Sequence, residues 1–209
     1  MAARLLHVSD ALDRLELGSV VTNVPQQSGE GRIAGRAITV KLGVGAPSVP
    51  PRHLCTTAIE RGGPENVIVI EQRSGVDAGS WGGMLTVGAR ANGIAGVVID
   101  GPVRDVDEAR AFGFPVFCRA TTARTARRRI VELATDVPVT FETVTVEPGD
   151  YVLADRSGIA FVRPDEIGRV LDAAEAIAAA ERAMLDQIEA GVPIGQVMAA
   201  RYETMVDRA

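Results

Sequence analysis

The stretch WGGMLTVGARANGIAGVVIDGPVRDVDE, residues 81–108, decides the reading of this chain. Its paired glycines, Gly82 and Gly83, carry no Cβ, so backbone there can come close to a ligand. Leu85, Gly88, Ala89 and Asn92 follow roughly a turn apart, the spacing of a helix, and Gly93 supplies a stop for it. Val97, Val98 and Ile99 form a short unbroken apolar run, the pattern of a strand covered on both faces. That strand delivers Asp100-Gly101-Pro102-Val103-Arg104-Asp105 to its C-terminal end, where α/β sheets hold ligands. Arg104 and Asp105 set a fixed cation beside a carboxylate able to ligate a metal. A glycine turn entering a helix offers free N–H groups to an anion, and residues 82–85 form such a turn. The chemistry implied is a small anionic substrate held on a divalent metal. The plainer alternative is a structural ion pair, with Asp105 as the N-cap of a helix starting near Val106. Asp100 reads as a turn residue, or as a carboxylate standing behind the site.

Composition narrows the class. Hydrophobic residues make up 46% and charged residues 23% of 209, the balance of a globular protein with a buried core. That length fits one domain, and no repeat, linker or low-complexity tract divides residues 1–209. The formal net charge is −5 and aromatics are 4%, which argues against nucleic-acid phosphate and base-stacking as modes of binding. Cys55 and Cys118 belong to no CxxC pair, so neither a disulfide framework nor a zinc site is expected. The first residues, MAARLLHVSDALDRL, are too poor in apolar residues and too acidic for a signal peptide. No run approaches the roughly 18 apolar residues of a membrane span. The expectation is a soluble, cytoplasmic protein with no membrane partner.

The flanking pattern is α/β. Residues 9–15 read as a helix capped by Ser9, residues 34–40 as a strand and residues 67–70 as a second, buried strand ending at Glu71. Three prolines and two glycines make residues 41–52 a loop, able to arch over a site, and residues 53–61 follow as a helix. A brief helix at 106–112 and a strand at 114–118 come next. The arginine-rich segment TTARTARRRI, residues 121–130, reads as a solvated face, or as an intersubunit or acidic-partner surface. Residues 139–146, 151–154 and 159–162 are β-rich and separated by good turn sequences, which suggests an antiparallel unit beside the βα portion. An Ala-rich helix runs from Pro164-Asp165 to about Ala190 and stops at Gly191 and Pro193. His7 and His53 lack metal-type spacing, Cys118 sits in an apolar strand, Ser80 and Ser157 lack a GxSxG elbow, and no GxGxxG follows the first strand.

The run GGMLTVGARANGIAGVVIDGPVRD resembles the signature of the RraA-like family, which includes the regulator of ribonuclease activity A and the 4-hydroxy-4-methyl-2-oxoglutarate aldolases. GRAITV, FPVFCRA, VEPGDYVLADRSGIAFV and the long C-terminal helix fall in the family's order, so the likeness covers residues 9–191. The resemblance implies a three-layer β/β/α swivelling-domain fold assembled as a homotrimer, or a hexamer of paired trimers, with sites between subunits. It implies that Asp105 binds a divalent metal, Mg²⁺ or Mn²⁺. Arg104 would contact the pyruvyl oxygen of a small 2-oxo acid, and the amides of Met84 and Leu85, after Gly82 and Gly83, would hold the substrate carboxylate. The expected activity is a lyase, an aldolase or oxaloacetate decarboxylase working through an enolate. The rival is a non-catalytic regulator that masks a ribonuclease or another protein. Some members carry a menaquinone methyltransferase label, which no residue here supports. One position departs from the aldolases, which place an acidic residue twenty-one positions before the Arg; here that position is Gly83. General acid–base help is worth about 10²–10⁴-fold, so decarboxylation, which needs no such base, is expected to outlive aldol cleavage unless another carboxylate, such as Glu71 or Glu203 of an adjacent subunit, stands in.

Overall fold

A computed structural model describes residues 4–50 and 52–199. In chain order the elements are α1 (Leu5–Arg14), β1 (Val20–Val21), β2 (Gln26–Ser28), β3 (Ile33–Gly43), α2 (Thr56–Arg61), β4 (Asn66–Gln72), α3 (Gly83–Ala91), β5 (Gly96–Val103), α4 (Val106–Ala111) and β6 (Val116–Thr121). They are followed by β7 (Val131–Thr135), β8 (Val139–Phe141), β9 (Val144–Val146), β10 (Tyr151–Asp155), β11 (Gly158–Val162), α5 (Ile167–Glu189) and α6 (Ile194–Val197).

The large sheet has the order β1-β11-β10-β3-β4-β5-β6-β2, with β7 also paired to β3. β3 to β6 run parallel, and α2, α3 and α4 are the crossovers between them. β10, β11 and β1 continue the sheet antiparallel beyond β3, and β2 closes it antiparallel beyond β6. β8 and β9 form a separate hairpin.

Successive strand residues point to opposite faces, and the parallel strands divide accordingly. Ile38, Val40, Ile68, Ile70, Val97 and Ile99 join Leu85, Ala89 and Ala109 of the crossover helices in one core. Ala37, Val67, Val69, Val98 and Phe117 join Val139, Phe141 and Val146 of the hairpin in another. The result is helices, a central sheet and a small second β layer, an α/β arrangement in three layers. A further cluster packs Leu12 of α1 and Val170, Ala174 and Ile177 of α5 on Ala160 and Val162 of β11. No helix among the described residues is long and apolar enough to cross a membrane.

Several boundaries differ from the sequence expectation, each for a reason of pairing. β3 reaches Gly43 because it is held on both sides, by β4 and by β7, so residues 41–43 are strand and not loop. β7 itself, half-exposed along its length, has too weak an alternation to be seen in the sequence. β10 and β11 are part of the large sheet, and only β8–β9 stands apart. Ser9 lies inside α1, whose N-cap is Arg4. The α3 boundary is as expected, with Gly93 at φ +72° directly after the C-cap Asn92.

Candidate active site

Backbone hydrogen bonds lay the segment before α3 along the end of β5. Ser80 N–H donates to Pro102 O at 2.8 Å and Arg104 N–H donates to Trp81 O at 3.0 Å. Trp81 anchors this seam: it is 2% exposed, its Nε1–H donates to Thr86 Oγ1 at 2.9 Å, and its ring stacks on Phe114. The glycines here serve by their lack of volume. Gly82 is extended, at φ −163°, so any residue could adopt its backbone. A Cβ on it would nevertheless lie 2.8 Å from Asp105 Oδ2 and 3.3 Å from Arg104 Cγ, and one on Gly79 would lie 2.7 Å from Arg104 Cγ. The Arg104 stem is thus laid flat between two bare backbone positions, Gly79 and Gly82.

Asp105 occupies the left-handed region, at φ 60° and ψ 37°. Aspartate tolerates that conformation better than most residues, at a cost on the order of 1 kcal/mol. Its side chain makes no cap bond to α4. It turns instead to the start of α3, where Gly83 N–H donates to Oδ2 at 3.0 Å, and Arg104 Nε–H reaches its two oxygens at 3.1 and 3.2 Å. The ion pair of the plainer reading therefore exists, but the helix it serves is α3. The first bond inside α3 runs from Thr86 N–H to Gly82 O, which leaves the amides of Gly83, Met84 and Leu85 without intrahelical acceptors. Asp105 satisfies the first. Those of Met84 and Leu85 remain for a ligand, at the end of the helix that favours negative charge.

Arg104, Asp105, Gly82, Gly83, Met84 and Leu85 all line one cleft of about 150 Å³, together with His53, Leu54, Thr125, Ala126 and Arg127. The sequence pattern gives His53 no metal role and leaves residues 121–130 as a solvated face or a partner surface. The fold brings Arg127 to the cleft because Gly79 N–H donates to Arg124 O at 2.9 Å; no periodicity encodes that bond. Gly79 was passed over as well.

Other carboxylates lie elsewhere. Asp100 is inside β5, 7% exposed, and is neither in a turn nor at the cleft. It accepts from Arg119 Nε–H at 2.8 Å and from Glu142 N–H at 2.7 Å. Within its own chain Glu71 accepts from Thr140 N–H at 2.6 Å and faces Lys41. Glu203 lies outside the described residues. His7 pairs with Glu181 of α5 at 2.9 Å. Burial pushes the Cys118 thiol up to about 11 and raises that of Cys55 well above its usual value; neither is a nucleophile at neutral pH.

No group of three or more His, Cys, Asp or Glu suited to a metal gathers among the described residues, so a nitrogen- and sulfur-ligated zinc centre does not fit. A hard cation of the Mg²⁺ type does. Such ions take one or two carboxylates and complete their shell with water and substrate oxygens, and Asp105 presents a carboxylate to the cleft.

Residues 6–161 match the family model described as RraA-like, Aldolase/RraA. Protein DlpA of Legionella pneumophila is 29% identical over 189 residues, 90% of this chain, while the chain spans only 31% of that protein's length. A Deinococcus radiodurans protein provisionally named a 4-hydroxy-4-methyl-2-oxoglutarate aldolase is 32% identical over 152 residues, 72% of this chain and 89% of its own. Among solved structures, an uncharacterized Pseudomonas syringae protein superposes with a TM-score of 0.82 at 30% identity, covering 93% of this chain and 92% of its own. Streptomyces coelicolor RraAS2, described as an unusual member of the RNase ES inhibitor RraA family, gives 0.71 at 25% identity, covering 86% and 96%. With most of its length matched by the family model, and with the same fold as these proteins, the chain belongs to the RraA-like family.

Proposed function

We propose that the protein is a divalent-metal-dependent lyase that cleaves a carbon–carbon bond in a small 2-oxo acid with a pyruvyl end, by aldol cleavage, by decarboxylation of oxaloacetate, or by both. The observation that carries this reading is the convergence of the free Met84 and Leu85 amides, the Arg104 guanidinium and the Asp105 carboxylate on one cleft. The two amides, at the N-terminus of α3, hold the substrate carboxylate. Arg104, its stem fixed between Gly79 and Gly82, meets the negative charge that grows on the C2 oxygen as the bond to C3 breaks. A prearranged cation at such a position is worth more than one that must reorganise. Asp105 is the residue that would hold Mg²⁺ or Mn²⁺, which when bound supplies Lewis-acid stabilisation of that same charge. The proposed assembly is a homotrimer or a pair of trimers. Met84 is 90% and Val87 50% exposed on α3, apolar surface that a neighbouring subunit would cover.

The names of the relatives favour a second reading, a non-catalytic regulator of the RraA type that masks a protein partner. Arg104→Ala separates the two, because it removes turnover while leaving a masking surface largely intact. The test is pyruvate release from 4-hydroxy-4-methyl-2-oxoglutarate and from oxaloacetate with Mg²⁺ or Mn²⁺. Metal-dependent release supports the lyase; no product from any 2-oxo diacid, with or without metal, removes it.

A further inference from the structure

The expectation of weak aldol cleavage rests on position 83 having no side chain. The structure fills the space that a side chain there would take. A Cβ built on Gly83 would fall on Glu108 Oε2 and lie 2.9 Å from Glu108 Cδ, with Asp105 Cβ at 3.7 Å. Asp105 and Glu108 are three residues apart across the start of α4, so they lie on one side of it. Glu108 is exposed on α4, and its carboxylate lies beside Gly83, which itself lines the cleft.

Resting on the lyase reading, we infer that Glu108 supplies the proton-transfer carboxylate of this site, reaching from α4 into the space beside Gly83. In aldol cleavage Glu108 takes the proton of the C4 hydroxyl as that oxygen becomes a carbonyl. The C3–C4 bond breaks and its electron pair moves into an enolate over C3, C2 and the C2 oxygen, opposite Arg104. The proton then returns to C3 to give pyruvate, and Glu108 is left ionised as it began. No oxidant, reductant or co-reactant is needed. Decarboxylation of oxaloacetate makes the same enolate with loss of CO₂ and has no hydroxyl proton to remove, so it depends less on Glu108.

The test is a cycle of Glu108→Ala, Gly83→Asp and the double variant, read in two ways. Without metal, Gly83→Asp should lower the melting temperature in the wild-type background, where its side chain meets Glu108, and much less in the Glu108→Ala background. An equal loss in both backgrounds means that Glu108 does not occupy this space and overturns the inference. With Mg²⁺, Glu108→Ala should lower kcat for aldol cleavage by about 10²-fold, lower decarboxylation by a clearly smaller factor, and leave KM nearly unchanged. Gly83→Asp added to Glu108→Ala should recover part of the aldol rate by returning a carboxylate from α3. An unaltered aldol rate in Glu108→Ala, in an enzyme that releases pyruvate, overturns the inference alone. A wild type that releases no pyruvate overturns the lyase reading and this inference with it.

Discussion

Asp100, inside β5, and Asp105, two residues past its end, each pair with arginine, yet they do opposite things. Asp100 is sealed: both oxygens accept hydrogen bonds, from Arg119 and from the Glu142 amide, with Arg73 at 3.7 Å. Its side chain is 9% exposed, and it does not line the cleft. It ties β5 to β6 and to the chain just after β8. Asp105 is open, its side chain 28% exposed, its backbone left-handed and its protein partners limited to Arg104 and the Gly83 amide. The lesson is that an Arg–Asp pair in a sequence does not announce its role. What decides it is how much of the carboxylate the fold leaves exposed and which opening it faces.

The largest effect that probes this contrast is on stability. Asp100→Ala should cost about 3 kcal/mol in chemical denaturation, the low end of the penalty for breaking a buried pair, since Arg119 keeps some access to water. Asp105→Gly should change stability by less than about 1 kcal/mol, because release from the left-handed conformation offsets the lost bond to Gly83, while turnover disappears. Similar losses of stability for the two variants would erase the distinction. Next in size, Arg104→Ala should lower kcat/KM by about 10²–10³-fold with little change in melting temperature. Gly82→Ala, whose Cβ would crowd Asp105 Oδ2, should lower it by about 10-fold or more through misplacement of the carboxylate.

The smallest effect concerns a third carboxylate between the two extremes. Asp150 is 2% exposed. One of its oxygens accepts from Glu147 N–H at 2.8 Å, while the other has only Arg163 Nε at 3.6 Å. Burial holds its pKa above the ordinary 3.8, partly offset by the Glu147 amide and Arg163. A carboxyl with a raised folded-state pKa binds its proton more tightly when folded, so it costs stability at neutral pH and the cost fades as pH falls through the raised value. Asp150→Asn should therefore gain on the wild type more at pH 7 than at pH 4 in thermal melts. A gain that grows on acidification would reverse the sign.

Much of this was legible in the sequence, for physical reasons. The parallel core announced itself through runs such as Val97-Val98-Ile99, because strands buried on both faces carry no polar alternation. Gly93 marked the end of α3 through its need for a positive φ, and Gly82-Gly83 marked the place where backbone must lie bare. What could not be read depends on contacts distant in sequence. Arg127 reaches the cleft through one backbone bond at Gly79. Asp100 and Asp105 are indistinguishable until Arg119 and the Glu142 amide are placed. Gly83 reads as a missing acid, and only the fold places the Glu108 carboxylate, twenty-five residues on, beside it.

The most direct measurement is a calorimetric titration of oxalate, a mimic of the pyruvate enolate, into the wild type and Asp105→Ala, each with and without Mg²⁺. The account predicts binding to the wild type that requires Mg²⁺, and none to Asp105→Ala under either condition. Oxalate binding that is indifferent to the metal and survives Asp105→Ala would contradict it.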